Sequence, residues 1–148
     1  MSSEHANKIT GIEHFPDHPM HLNLTWNHGP EAEIDFAPIS KQAGFQPLAD
    51  PDFLRNVEIG DWGHSLAWPD GTEIGADSLW LDSLTVWGRD DTRTFLEWRL
   101  RNGLSLSGAA EALGLSRRQI AYYSNGDKAV PRTILLACRG WEALTKAA

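Results

Sequence analysis

Arg117, Arg118 and Gln119 stand in a row in the segment 104–126, LSLSGAAEALGLSRRQIAYYSNG, with Tyr122 one helical turn beyond them. An arginine can donate two parallel hydrogen bonds to the major-groove edge of guanine, and a glutamine can pair in the same way with adenine. A tyrosine can hydrogen-bond a base or pack on a thymine methyl. An isolated Arg-Arg is no more than a solvated face. Here the pair follows Gly114, a turn residue, and Ser116, a helix N-cap, so it opens a helix. With Ile120 turned to the core, steps of about 100° per residue place Arg118, Tyr122 and Asn125 on the outward face. Arg117 and Ala121 then lie to one side and Gln119 to the other, while Tyr123 falls with the core.

The surrounding residues supply the frame that such a helix needs. Ala110 is small where two helices must cross, Gly114 can take the positive φ that ends the first of them, and Leu115 plugs the turn into the core. Ser105 is placed to cap the helix carrying Ala109, Ala110 and Leu113. Ser116 is placed to cap the next one, with Gln119 completing a capping box, and Asn125-Gly126 ends it. A preceding amphipathic helix, with Phe95, Leu96, Trp98, Arg99 and Leu100, is bounded by Asp90-Asp91-Thr92 and Asn102-Gly103. A fourth helix is predicted from about Pro131 to Leu144.

This segment, from about 92 to 145, resembles the Cro and lambda-repressor-like (XRE-type) helix-turn-helix family. The resemblance implies that Arg117, Arg118, Gln119 and Tyr122 read bases and that Asn125 touches phosphate, with Lys128 and Arg132 where the loop and the last helix pass the DNA backbone. One position departs from the family. Leu106 stands where a phosphate-binding glutamine is frequent, which leaves Ser105 and Ser107 as the candidates for that contact.

Charge separates this segment from the rest of the chain. Residues 1–88 hold 3 Lys and Arg against 14 Asp and Glu, a balance of −11, whereas residues 89–148 hold 10 against 6, or +4; together they give the net −7 of the 148-residue chain. The acidic part repels DNA and the basic part can be drawn onto it. The acidic part also reads differently, as short strands and turns. Residues 20–26 (MHLNLTW) alternate apolar and polar, Asn27-His28-Gly29-Pro30 supplies a turn, and Ala32, Ile34 and Phe36 alternate again. Phe45, Leu48, Phe53 and Leu54, punctuated by Pro47 and Pro51, suit a short helical or irregular stretch. Val57-Glu58-Ile59 and Ser65-Leu66-Ala67-Trp68 suggest a second hairpin, and residues 76–83 a short helix.

The strand opening at Lys8-Ile9, the run His21 to Trp26, the Phe45-Gln46-Pro47-Leu48 and Asp52-Phe53 pair, and Leu66-Ala67-Trp68-Pro69-Asp70-Gly71 followed by Ile74 and Leu79 resemble the DUF2442 family. That family is a small α+β domain of unknown function, matched over about residues 8–82. The expected architecture is therefore α+β. It comprises an acidic domain of short antiparallel strands at 1–86, expected to serve oligomerisation or ligand or partner contact, and an all-α, lambda-repressor-like DNA-binding domain at 87–148.

Other chemistry finds little support in the sequence. The six histidines, His5, His14, His18, His21, His28 and His64, include a ligand-like spacing at His14, His18 and His21, but Pro16 and Pro19 interrupt the helix that would align them, so no metal is expected. No Gly-rich phosphate loop, Gly-x-Ser-x-Gly or paired-Cys motif occurs, and neither an enzyme nor a cofactor is expected. Cys138, the single cysteine, sits in an apolar run and suits a buried thiol. Most of the seven tryptophans suit a core, although Trp62, Trp68 and Trp80 could line an apolar groove or subunit contact. No window reaches 18 consecutive apolar residues and MSSEHANK lacks a signal-peptide pattern, so a cytoplasmic location without membrane contact is expected. The reading is a sequence-specific transcriptional regulator that binds double-stranded DNA as a homodimer. The alternative is a protein-interaction module, such as the antitoxin of a toxin–antitoxin pair, with a toxin-like partner.

Overall fold

The computed structural model describes residues 7–147. The chain is mixed α+β and forms two compact units, one ending at Trp87 and the other beginning at Gly88. His5 lies outside the described residues.

In the first unit, strands β1 (Ile9–His14), β2 (His21–Trp26) and β3 (Ala32–Asp35) form an antiparallel meander in that spatial order. The alternation in β2 and β3 has its expected consequence: Leu22, Leu24, Trp26, Ala32 and Ile34 all point into the core. Phe36 is buried just past β3 and opens helix α1 (Ala37–Ser40). A 3₁₀ turn at Gln46–Ala49 and helix α2 (Pro51–Leu54) then carry Leu48 and Leu54 inward.

Strands β4 (Glu58–Ile59), β5 (Ser65–Ala67) and β6 (Glu73–Gly75) form a second antiparallel meander. The sequence suggests only the hairpin here. After the turn at Pro69-Asp70-Gly71 the chain returns as β6, which is too short to show an alternation of its own. Helix α3 (Ala76–Val86), three residues longer than the expected 76–83, places Ala76, Leu79, Trp80, Ser83 and Leu84 in the core. The indole N–H of Trp26 donates to Ser83 Oγ at 3.1 Å, and that hydroxyl donates in turn to Leu79 O at 2.9 Å, so both buried polar groups are satisfied.

In this unit the alternative reading of the tryptophans as an apolar groove falls away, and the histidines make contacts of their own. Trp68 and Trp80 are core residues, Trp80 packing edge-on against Trp26 at 5.1 Å, and only Trp62 of the proposed aromatic groove is exposed, at 83%. The histidine cluster is drawn into other contacts. His18 stacks on His21, and His21 Nδ1 lies 2.6 Å from Glu33 Oε2; among the described residues no three His, Cys, Asp or Glu side chains are placed to hold a metal.

The second unit is helical: α4 (Asp90–Arg101), α5 (Leu106–Leu113), α6 (Arg117–Asn125) and α7 (Arg132–Ala147). Its core is Phe95 and Trp98 of α4, Ala109 of α5, Ile120 and Tyr123 of α6, Val130, and Cys138 of α7. Phe95 meets Tyr123 edge-on at 5.5 Å, and Trp98 meets Trp141 at 5.6 Å. Burial pushes the Cys138 thiol up to about 12, so it is an inert core group. Leu100 is half-exposed and does not join the apolar face of α4. It lies two residues beyond Trp98, about 200° around the helix and so away from the core side, whereas the guanidinium of Arg99 reaches Ser124 Oγ of α6. No helix among the described residues is long and apolar enough to cross a membrane.

Candidate nucleic-acid interface

The turn between α5 and α6 consists of Gly114, Leu115 and Ser116. Gly114 has φ 69°, a left-handed conformation that costs a residue with a Cβ roughly 1 kcal/mol, and it lets Leu115 N–H reach back to Ala110 O at 3.0 Å. Leu115 then packs against the core, as do Ala110 and Leu113. Ser105 Oγ accepts from Gly108 N–H at 3.0 Å and Ser116 Oγ from Gln119 N–H at 3.1 Å, each capping its helix. The expected capping box is only half formed: no bond from the Gln119 amide to Ser116 occurs among the described residues.

Ile120 is fully buried and Tyr123 nearly so, which fixes the rotation of α6. Arg117 and Arg118 are exposed and have no ion-pair partner among the described residues. Gln119 and Tyr122 are half-buried beside them. The first turn of α6 has no acidic residue, so the two guanidinium groups sit at the positive end of the helix dipole without an acidic neighbour in their own turn.

The remaining candidates are less uniform. Lys128 is exposed, its Nζ standing 4.7 Å above the centre of the Tyr122 ring, while its N–H donates to Tyr122 O at 3.3 Å. These contacts gather Lys128 and Tyr122 at one end of the exposed face. Asn125 is half-buried, and its Oδ1 accepts from Asp127 N–H at 3.0 Å in an exposed Asx turn, which leaves its amide N–H groups as donors. Arg132 is exposed as the first residue of α7. Ser105 and Ser107 are exposed at the start of α5, where Ser105 already accepts the capping bond and keeps its hydroxyl proton to donate. Leu106 between them packs on the core.

Several residues that hold this face in place carry no local signal. Arg89 donates through Nη1 to Gly126 O at 3.0 Å and through Nη2 to Thr92 Oγ1 at 2.9 Å, while Asp91 Oδ2 accepts from Val130 N–H at 2.8 Å. The start of α4 thereby clamps both ends of the loop that carries Lys128. Burial pushes the Asp91 carboxyl up, but the N–H groups of Val130 and Thr92 and the Arg89 guanidinium outweigh it and leave the group below the ordinary aspartate value. Arg99, pulled down from its ordinary value by burial, donates through Nη1 to Ser124 Oγ at 2.7 Å and so anchors the back of α6. Four of the ten basic residues of this unit, Arg89, Arg93, Arg99 and Arg101, are therefore bound within it, and the other six, Arg117, Arg118, Lys128, Arg132, Arg139 and Lys146, are exposed.

The same logic ties α4 to α7. Glu142 accepts two bonds from Arg101, at 2.7 and 2.9 Å, and one from Asn102 Nδ2 at 2.7 Å, and these hold its carboxyl down to about 2. A folded-state value below the unfolded one gives stability that is complete above about pH 4.5 and is lost as pH falls toward 2. Thermal melts of Glu142→Gln are expected to lie below wild type at pH 7 and to converge with it near pH 2. A constant gap across that range would remove Glu142 from the acid sensitivity.

Residues 9–83, which is 75 of the 148 residues, match the family described as "Protein of unknown function (DUF2442)", and the chain belongs to that family. A crystal structure from Nitrosomonas europaea, described as "Putative DNA Binding Protein NE0471", is 40% identical, covering 93% of this chain and 88% of that one with a TM-score of 0.68. Coverage of that extent takes in the helical unit as well as the family segment. No curated protein matches.

Proposed function

We propose that the helical unit is a lambda-repressor-like, XRE-type helix-turn-helix that binds double-stranded DNA, and that the chain is a sequence-specific transcriptional regulator acting as a homodimer. The observation that carries this reading is the first turn of α6. Arg117 and Arg118 are exposed there without acidic partners, next to Gln119 and Tyr122, on a helix whose rotation is fixed by Ile120 and Tyr123 and whose start is fixed by the Gly114 turn. A helix presented in this way has the diameter and the donors to enter a major groove. Arg118 and Arg117 are assigned to guanine edges, Gln119 to adenine and Tyr122 to a base edge or thymine methyl. Lys128, Arg132, Asn125, Ser105 and Ser107 are assigned to phosphates.

The 40% identity to a protein described as a putative DNA-binding protein supports the same reading. One unit of this size covers a short site, and pairing two half-sites is the common route to specificity, which is why a dimer is part of the proposal. The acidic unit, with the −11 balance of residues 1–88, keeps the chain off unrelated DNA and is assigned to ligand or partner contact. Selection of duplexes from a random pool by the full chain tests this. An enriched palindrome is expected, and a pool left unenriched would sink the regulator reading.

A further inference from the structure

Helix α7 is apolar on two sides. Ile134, Leu135, Cys138 and Trp141 pack on the helical core. On the opposite side an arc reaching about 60° either way from Gly140 holds Thr133, Leu136, Ala137, Ala143 and Leu144, all exposed, and no charged side chain. Leu136 is 51% exposed and Leu144 76%. A surface helix in a small unit ordinarily carries charged and polar residues on its second face.

Gly140 sharpens the observation. A glycine inside a helix is destabilising relative to alanine, and here nothing in the unit's own packing uses it. Its φ is not positive, and an added Cβ would meet no atom within 4 Å. The absence of a side chain is useful only to something that approaches α7 from outside.

We propose that this arc is the surface through which two copies of the chain pair, with α7 packing antiparallel on the partner's α7 about a two-fold axis at Gly140. The occupant follows from the order of the residues. Leu136-Ala137 and Ala143-Leu144 stand at equal distances before and after Gly140, so the segment reads the same from either end on this face. A two-fold axis through Gly140 sets Leu136 against the partner's Leu144 and Ala137 against the partner's Ala143, the self-complementarity that an isologous interface requires. Antiparallel pairing opposes the helix dipoles instead of aligning them. With no charge in the arc, no ion has to be desolvated.

The arc is smaller than the ~800 Å² per partner of a standard interface, so self-association at about 1–100 µM is expected. The pairing supplies the contact for the homodimer proposed above, and it is tested without DNA so that the two readings can fail separately.

The test is sedimentation equilibrium of the full chain from about 1 µM to about 1 mM, with disulfide trapping of cysteine variants. A monomer–dimer equilibrium is expected, and Leu144→Glu should weaken it by about tenfold or more while keeping its helical circular dichroism. Gly140→Ala should raise the melting temperature of the monomer yet weaken the dimer, a pair of opposite signs that a structural role alone would not give. Under mild oxidation Gly140→Cys should form a covalent dimer. Leu136→Cys alone should not, whereas the Leu136→Cys/Leu144→Cys double variant should. Native Cys138 is buried and gives no background. A chain monomeric throughout the range overturns the proposal and leaves the arc to a different protein or to the chain's own first unit. Dimerisation of Leu144→Glu at wild-type strength, or trapping by Leu136→Cys alone, overturns it equally.

Discussion

Replacement of Ile120 by Asp unfolds the helical unit while the strands of the first unit keep their structure. Ile120 has no exposed surface and lies in the apolar and aromatic cluster formed by Phe95, Trp98, Ala109 and Tyr123. Placing an unpaired charge at such a site, together with the lost apolar contact, costs more than about 4 kcal/mol. A unit of this size has a total stability of roughly 3–9 kcal/mol, so the change consumes most or all of it. Thermal melting followed at 222 nm would show loss of the helical transition, and the backbone amide signals of β1, β2 and β3 in a heteronuclear NMR spectrum would report on the first unit. Unchanged helical melting would mean that Ile120 lies outside the core, and the rotation of α6 would have to be reassigned.

The second large effect separates reading bases from holding phosphates. Arg118 is exposed in the first turn of α6 and Lys128 lies beyond its end, over the Tyr122 ring. Arg118→Ala is expected to cost about 1–3 kcal/mol on the preferred duplex and little on a scrambled one. Lys128→Ala should weaken both duplexes by a similar factor and lower the salt dependence by about one counterion per subunit. Equal losses on both duplexes for Arg118→Ala would make it a phosphate contact and move base reading to Arg117 or Gln119. Neither side chain is buried, so the variants should keep the fold, which a melting curve checks.

The residues that were legible in the sequence act over short distances. Gly114, Ser105, Ser116 and Gly126 set helix ends through bonds or dihedrals a few residues long, and the spacing of Ile120 and Tyr123 reports burial directly. The alternation in β2 was readable for the same reason. What the sequence did not reveal depends on pairing across the chain. Arg89 meets Gly126 37 residues away, Arg99 meets Ser124 25 residues away, and Arg101 meets Glu142 41 residues away. A count of basic residues treats these as charge for a ligand, although they are used to hold α4, α6 and α7 together. Asn125 carries a detail that helical phase does not give, the bond from Asp127 N–H to its side-chain carbonyl. The three-residue β6 is formed by its register with β5 and has too few residues to show a period.

The proposed function requires that the chain recognise a DNA sequence through α6. Its most direct test is titration of the full chain with a labelled duplex recovered by selection and with a scrambled duplex of equal length and composition, each at several salt concentrations. Specific binding predicts at least about a 10³-fold preference for the recovered duplex, held as salt rises while affinity for both falls. Equal affinity for the two duplexes at every salt concentration, or no binding to either at low salt, would contradict the account.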